Sequence, residues 1–290
     1  MSIIDEIKES FKKGSVLTRL IYINIGVFLS IRVIHVFFFL LNQEFTLLNW
    51  LALPADVGQL MLRPWTLITY MFLHFNFLHI LFNVLWLYWM GKIFLFYFDA
   101  KKLLGVYLLG GLSGGVFFLL AYNLFPAFSE VIVFARLLGA SASVLAIIAA
   151  VATHAPNHPI NLLFIGQIKM KHLALFSIAL YVIGIASSNA GGNLAHLGGA
   201  VFGFFFAVQR RKGHDLTWII TKLIDAATRL FHPRQRIQVS YRGRKKDNIE
   251  YNRQKNLQQE EINRVLDKIS KSGYDSLTKE EKELLFKMGK

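Results

Sequence analysis

Along this chain, apolar and polar positions are sorted into long blocks. Six apolar blocks stand out, at roughly 17–41, 77–98, 103–123, 138–154, 172–189 and 194–210. A helix gains about 1.5 Å per residue and a bilayer core takes about 20 residues to cross, so the blocks predict six membrane-spanning helices. The fourth and sixth are the least greasy and the richest in small residues. Residues 1–16 follow a different pattern. Ile3, Ile4, Ile7 and Phe11 recur at helical spacing opposite Asp5, Glu6, Lys8, Glu9, Lys12 and Lys13. That predicts a helix on the membrane surface rather than a cleaved signal peptide. The stretch from Asn42 to Asn76, with Trp50, Pro54, Pro64 and Trp65, is long and apolar. It is expected to rest on or in the bilayer surface.

Past the sixth block the pattern turns amphipathic and then polar. Leu216, Ile219, Ile220, Leu223, Ala227, Leu230 and Phe231 share one helical face, with Lys222, Asp225 and Arg229 opposite. This predicts a second interfacial helix or a seventh packed element. A basic linker is expected around Arg242–Lys246. Residues 256–290 predict two short helices, the first with Leu257, Val265, Leu266 and Ile269 in one stripe, the second with a capping box of Thr278 and Glu281. The expected organisation is therefore a cytoplasmic amphipathic segment (1–16), a six-span domain (17–211), an interfacial helix with its linker (212–255) and a cytoplasmic helical pair (256–290). The fold class is all-α, a polytopic helical bundle.

Composition agrees with the blocks. Hydrophobic residues make up 54% and charged residues only 17%, against about a quarter charged in a soluble domain. Disorder and a disulfide scaffold are excluded, and with no cysteine so are thiol catalysis and cysteine-held metals. The net charge of +14 is uneven, with 20 of the 32 Lys and Arg falling from Gln209 onward. Basic residues cluster before the first span, at Lys101 and Lys102, at Lys169 and Lys171, and at Arg210–Lys212, whereas the opposite loops hold Arg63 and Arg136. The charge is read as positive-inside topology, with both termini in the cytoplasm, and not as nucleic-acid binding.

The polar groups within or beside the spans that ask for a reason are Arg32, His35, His74, His79, Asn83, Ser141, Ser143 and His196. No Asp or Glu lies mid-span, which argues against carboxylate proton relays and carboxylate-held metals. Ser141, in Gly139-Ala140-Ser141-Ala142-Ser143, and His196, in Ala195-His196-Leu197-Gly198-Gly199, fall near the same end of their spans. Gly139 with Ser143 and Gly199 with Gly203 form small-xxx-small faces that let helices approach closely. An imidazole base beside a hydroxyl nucleophile is the minimum constellation for acyl transfer. His79 and Asn83, four apart on one helical face, supply two donors of the kind an oxyanion hole needs. Each feature has a plainer reading: a serine bonded to its own backbone, a structural histidine, simple helix packing, an interhelical hydrogen-bond pair. What points to catalysis is their conjunction at one depth on alternate spans of one direction.

At these residues the sequence resembles the rhomboid family of intramembrane serine proteases, over roughly 17–211. The motifs fall in family order: Arg63-Pro64-Trp65-Thr66, His74, His79-xxx-Asn83, Gly139-Ala140-Ser141-Ala142 and Ala195-His196-Leu197-Gly198-Gly199. The resemblance implies Ser141 as nucleophile and His196 as base, with His79, Asn83 and the Ser141 amide binding the oxyanion. Gly139 would let the loop approach the site, Gly199 would let spans four and six pack, and His74 would be structural or water-holding. It also implies a bacterial inner-membrane enzyme that cuts transmembrane proteins, needing no cofactor or metal. Three departures stand out. Leu145 occupies a position where the family often has a tyrosine stacked on the histidine; Trp65 is followed by Thr66 instead of arginine; and Arg32 has no family counterpart. The expected partners are transmembrane substrates, the lipid bilayer and a cytoplasmic protein for the 256–290 helices, with no nucleic acid. The alternatives are an inactive rhomboid-like protein that binds transmembrane helices and, more remotely, a transporter, for which the expected repeat between halves is missing.

Overall fold

The computed structural model describes residues 2–162, 166–231 and 244–288. They fall into two compact units, Met1–Pro233 and Arg234–Lys290. In the first, α1 (Ile3–Lys13) is capped by a reciprocal Ser2–Asp5 box and leads into α2 (Val16–Leu40). The connection that follows folds into α3 (Leu47–Leu51), β1 (Leu53–Pro54), α4 (Val57–Leu62) and α5 (Thr66–Thr69). Then come α6 (Phe77–Tyr97), α7 (Ala100–Leu124), β2 (Arg136–Leu137), α8 (Ser141–His154), β3 (Pro159–Leu162), β4 (Gly166–Lys169), α9 (Met170–Ile183), α10 (Ala190–Arg211) and α11 (Trp218–Phe231). The second unit holds α12 (Arg244–Ser272) and α13 (Lys279–Met288).

Among the described residues six apolar helices, α2, α6, α7, α8, α9 and α10, fall in the six blocks, although the fifth block, expected to run to 189, is helical in α9 only as far as Ile183. Four of them, α2, α6, α7 and α10, are long and apolar enough to cross a membrane; α8 and α9 are shorter. Among the described residues the bundle is all-α apart from two small antiparallel ladders that hydropathy did not reveal, β1 with β2 and β3 with β4. Its outside is greasy. Leu29, Phe37, Phe39, Phe82, Phe96, Phe176 and Ile183 are all exposed, an apolar belt that water would not tolerate and lipid does. Its centre is α8, buried without a break from Ala142 to Ala152 and packed against α7 and α10.

The polar contacts inside the bundle tie helices together. Buried Asn24 on α2 donates to the Tyr107 hydroxyl of α7 at 3.1 Å, and Tyr107 donates to the Met71 carbonyl at 3.0 Å. Arg32, a span residue without an assigned role in the sequence, places its guanidinium over the Phe75 ring at 5.0 Å, a cation–π contact. His35 meets Phe45 and Phe75 edge-on. At the other end of the bundle Asp99 caps α7 and pairs with Lys102. Burial pushes its carboxyl up, but the hydrogen bonds and charge of Lys102 win and hold it below its ordinary value. Helix α11 is pinned to α7 by Lys101 to Asp225 at 2.5 Å and by Thr217 buried against Gly105. Its Trp218, Ile219 and Leu223 face outward.

The second unit departs from the expected boundaries. The helix predicted to begin near 256 begins at Arg244, so the residues from Arg244 to Lys246 of the expected basic linker are helical. The start of that linker, at Arg242, lies outside the described residues. From Arg244 to Ser272 there is no Gly or Pro, so nothing in the backbone chemistry breaks the helix before Gly273, whose positive φ of 73° ends it. The Thr278–Glu281 capping box is present: the Thr278 N–H donates to Glu281 at 2.8 Å and the Glu281 N–H to the Thr278 hydroxyl at 3.3 Å. The Thr278 N–H and Lys268 together lower the Glu281 carboxyl below its usual value.

Candidate active site

The site is built where the chain turns into α8. Strand β2 pairs with β1, Leu137 opposite Leu53 and Arg136 opposite Pro54, so the long α2–α6 connection is stitched to the segment that leads into Ser141. Arg136 donates to the Gln59 side chain at 2.6 Å. Gly139 donates its N–H to the Tyr70 carbonyl at 2.9 Å, and the Tyr70 hydroxyl donates to the Gly111 carbonyl of α7 at 2.5 Å. Gly139 adopts φ +123°, and a Cβ there would sit 2.8–2.9 Å from the His79 ring. Conformation and space both require glycine. The expected span at 138–154 therefore becomes helical only at Ser141, because residues 136–140 are extended or turning to place it.

Ser141 is the first residue of α8. The N–H groups of a helix's first turn have no acceptor inside the helix, so Ser141 presents its hydroxyl beside free amides at the positive end of the helix dipole. Its Oγ lies 2.6 Å from Nε2 of His196 on α10. Among the described residues no other side chain hydrogen-bonds that hydroxyl. His196 is 8% exposed, and its Nδ1 is buried without a protein partner among them. The close approach of α8 and α10 has a steric basis: a Cβ on Gly199 or Gly203 would sit 2.1 Å from the carbonyl oxygen of Ala142 or Ala146. The facing residues differ from the expected pair. Ser143 turns toward Gly111 of α7, and Gly139 lies outside the helix, because the α10 contact runs along the Ala142–Ala146 stripe instead.

His79 and Asn83 lie on α6 and line the same cavity as Ser141 and His196, a space of about 810 Å3. Asn83 is buried and donates Nδ2 to the His79 carbonyl at 2.9 Å, leaving its second N–H available. His74, fully buried, accepts the Ala140 N–H at its Nε2 over a long 3.4 Å and packs edge-on to His79, 5.0 Å between centroids. Thus Ser141, His196, His79, Asn83 and Gly139 converge on one space, His74 braces the turn beneath it, and Gly199 acts from the α8–α10 contact. The cavity walls continue along Phe82 and Trp86 of α6 and Phe176, Leu180 and Tyr181 of α9. Sequence reasoning missed Tyr181, whose ring lies 4.1 Å from that of His196; no spacing rule links it to a residue on another helix. Among the described residues no group of three or more His, Cys, Asp or Glu side chains could hold a metal ion.

The Rhomboid domain matches residues 62–212, just over half the chain and the whole of this site. The chain belongs to the rhomboid family. With its several apolar helices, this rhomboid is an integral membrane protein. It is 33% identical to the Rhomboid protease GlpG of Serratia proteamaculans over 117 residues, 34% of this chain and 41% of that protein. It is 28% identical to the Rhomboid protease GlpG of Yersinia pseudotuberculosis over 170 residues, 58% and 55% of the two chains. It is 31% identical to the RHOMBOID-like protein 12, mitochondrial, of Arabidopsis thaliana over 207 residues, 68% and 59%. The rhomboid spans about half the length of these curated relatives. Residues 247–288 match a separate family of unknown function, DUF6576, which covers most of α12 and all of α13.

Proposed function

We propose that this rhomboid is an intramembrane serine endopeptidase that hydrolyses peptide bonds in or next to the transmembrane segments of other membrane proteins. The observation that carries the reading is the 2.6 Å contact between Ser141 Oγ and His196 Nε2, both lining the cavity. His196 takes the hydroxyl proton as Oγ attacks the scissile carbonyl, and the oxyanion that forms is met by the Ser141 N–H, His79 and Asn83. The imidazolium then gives its proton to the leaving amine, and a water activated by the same nitrogen hydrolyses the ester. No carboxylate among the described residues orients the imidazole or offsets its charge, so a slow enzyme is expected.

Helix length supports the setting. The 14 residues of α8 rise about 21 Å, short of the roughly 30 Å hydrocarbon core. If its far end lies at one interface, Ser141 lies below the other, and the polar cavity brings water to it. The apolar walls on α6 and α9 suit a substrate helix that unwinds to expose one carbonyl. The distribution of Lys and Arg supports a bacterial cytoplasmic-membrane location with both termini inside, residues 17–211 forming the protease domain. Leu257 and Leu266 of α12, apolar and exposed, support a cytoplasmic protein partner for the 256–290 pair.

The experiment is cleavage of a transmembrane substrate with small residues at its outer end, in liposomes, by the purified chain and by Ser141→Ala. Cleavage by the first alone is expected. A folded chain that never cuts favours a helix-binding protein without activity, and cleavage that survives the substitution refutes the dyad. Asn83→Ala should lower kcat about 10²–10³-fold with little change in KM, the loss typical of one oxyanion donor. Single-turnover kinetics check it, and an unchanged kcat would remove Asn83 from the hole.

A further inference from the structure

An imidazole that shuttles a proton must hold one orientation, and hydrogen bonds normally fix it. His196 lacks that anchor on one side. Nε2 is committed to Ser141, and Nδ1 is buried with no partner among the described residues. What flanks the ring is an aromatic face. Tyr181 lies with its centroid 4.1 Å away and its plane tilted by 53°, close enough for direct ring contact. At Leu145, one turn after Ser141 on α8, there is only an aliphatic side chain, buried in the wall of the same cavity.

Tyr181 belongs to the last turn of α9, not to the helices that carry the other site residues. A local clamp fixes it there. Asn193 of α10, one turn before His196, donates Nδ2 to the Gly184 carbonyl at 2.5 Å, just past the end of α9. A Cβ on Gly184 would sit 2.6 Å from that amide, so the two helix ends meet without a side-chain spacer. Met170, Leu173 and Ala174 are buried, and the opposite face of α9 is open: Leu175, Phe176, Leu180 and Ile183 are exposed, and Phe176 and Leu180 also line the cavity.

We propose that Tyr181 is the positioning residue for the His196 imidazole, so that the Ser141–His196 pair is held in register only while α9 is docked on α10. This rests on the dyad reading above.

The test compares the full chain with Tyr181→Phe, Tyr181→Leu and the double variant Tyr181→Leu, Leu145→Tyr. Fluorophosphonate labelling rate, kcat, KM and the pH profile of kcat are read on samples matched by thermal melting. Tyr181→Phe should stay within about twofold, because the ring rather than the hydroxyl makes the contact with His196. Tyr181→Leu should lower labelling and kcat by roughly ten- to a hundredfold, leave KM nearly unchanged and displace the pH profile, as misplacing a reacting group does. Leu145→Tyr should restore much of the loss by offering a ring from α8. Tyr181→Leu with wild-type kcat and pH profile overturns the proposal, as does Tyr181→Phe as impaired as Tyr181→Leu. If Tyr181→Leu does not fold, Tyr181→Met is judged by the same criteria. A wild-type chain that neither labels nor cuts would instead defeat the dyad reading.

Discussion

Replacing His196 by alanine is expected to lower cleavage by at least about a thousandfold without unfolding the bundle. Removing one member of a nucleophile–base pair costs about 10³-fold or more, because the remaining groups act as a unit. No second base stands behind His196, since among the described residues only its Nε2 reaches the Ser141 hydroxyl. The fold should survive because the α8–α10 contact runs through Gly199 and Gly203 rather than through the imidazole. Initial rates of substrate cleavage, with a thermal melt alongside, check both halves. A variant that keeps a tenth of its activity would contradict the assignment of the base.

Gly199→Val is expected to have the opposite signature, a loss of stability first. Its Cβ would sit 2.1 Å from the Ala142 carbonyl oxygen and 2.8 Å from its carbon. Those are backbone atoms, so no side chain can swing aside and α10 must move off α8. Overpacking a tight core costs about 1–3 kcal/mol and more when the backbone must shift, so a loss of at least about 3 kcal/mol is expected. Activity falls with it, because Ala142 adjoins Ser141 and a small displacement of α10 carries the imidazole off the hydroxyl. The control is Gly26→Ala on α2, where a Cβ meets nothing within 4 Å; it should be neutral or slightly stabilising. Thermal melts of the three proteins in one detergent decide. A Gly199→Val protein as stable as wild type would mean that the helices are not in contact there.

Much of this arrangement was legible in the sequence because it depends on period and parity. Spans of alternating direction put the N-terminal ends of α6, α8 and α10 at one end of the bundle, so His79, Ser141 and His196 could be placed together from their positions in their blocks. Gly199 and Gly203 announced a close helix contact. The sequence offers Gly139 and Ser143 as their partner stripe, whereas Ala142 and Ala146, three residues further along, fill that place, because the rotation of α8 depends on the extended turn at 136–140. That turn is held by the β1–β2 ladder and the Tyr70 carbonyl, contacts distant in sequence. Tyr181 was hidden for the same reason: its proximity to His196 comes from how α9 crosses α10, and one helix's periodicity carries no information about another's rotation. Asn24 and Tyr107 form a pair 83 residues apart that only packing reveals. The early start of α12 is a different case. The unbroken run from Arg244 was there to read, but its charge suggested a linker where helix propensity prevails.

Central to the proposed reaction is the assignment of Ser141, activated by His196, as the nucleophile. Its most direct test is to treat the purified chain with a fluorophosphonate and to map the adduct by peptide mass spectrometry. A single phosphonylated residue at Ser141, formed in parallel with loss of cleavage and absent from His196→Ala, is the predicted result. An adduct on another serine, or full inhibition with Ser141 unmodified, would contradict it.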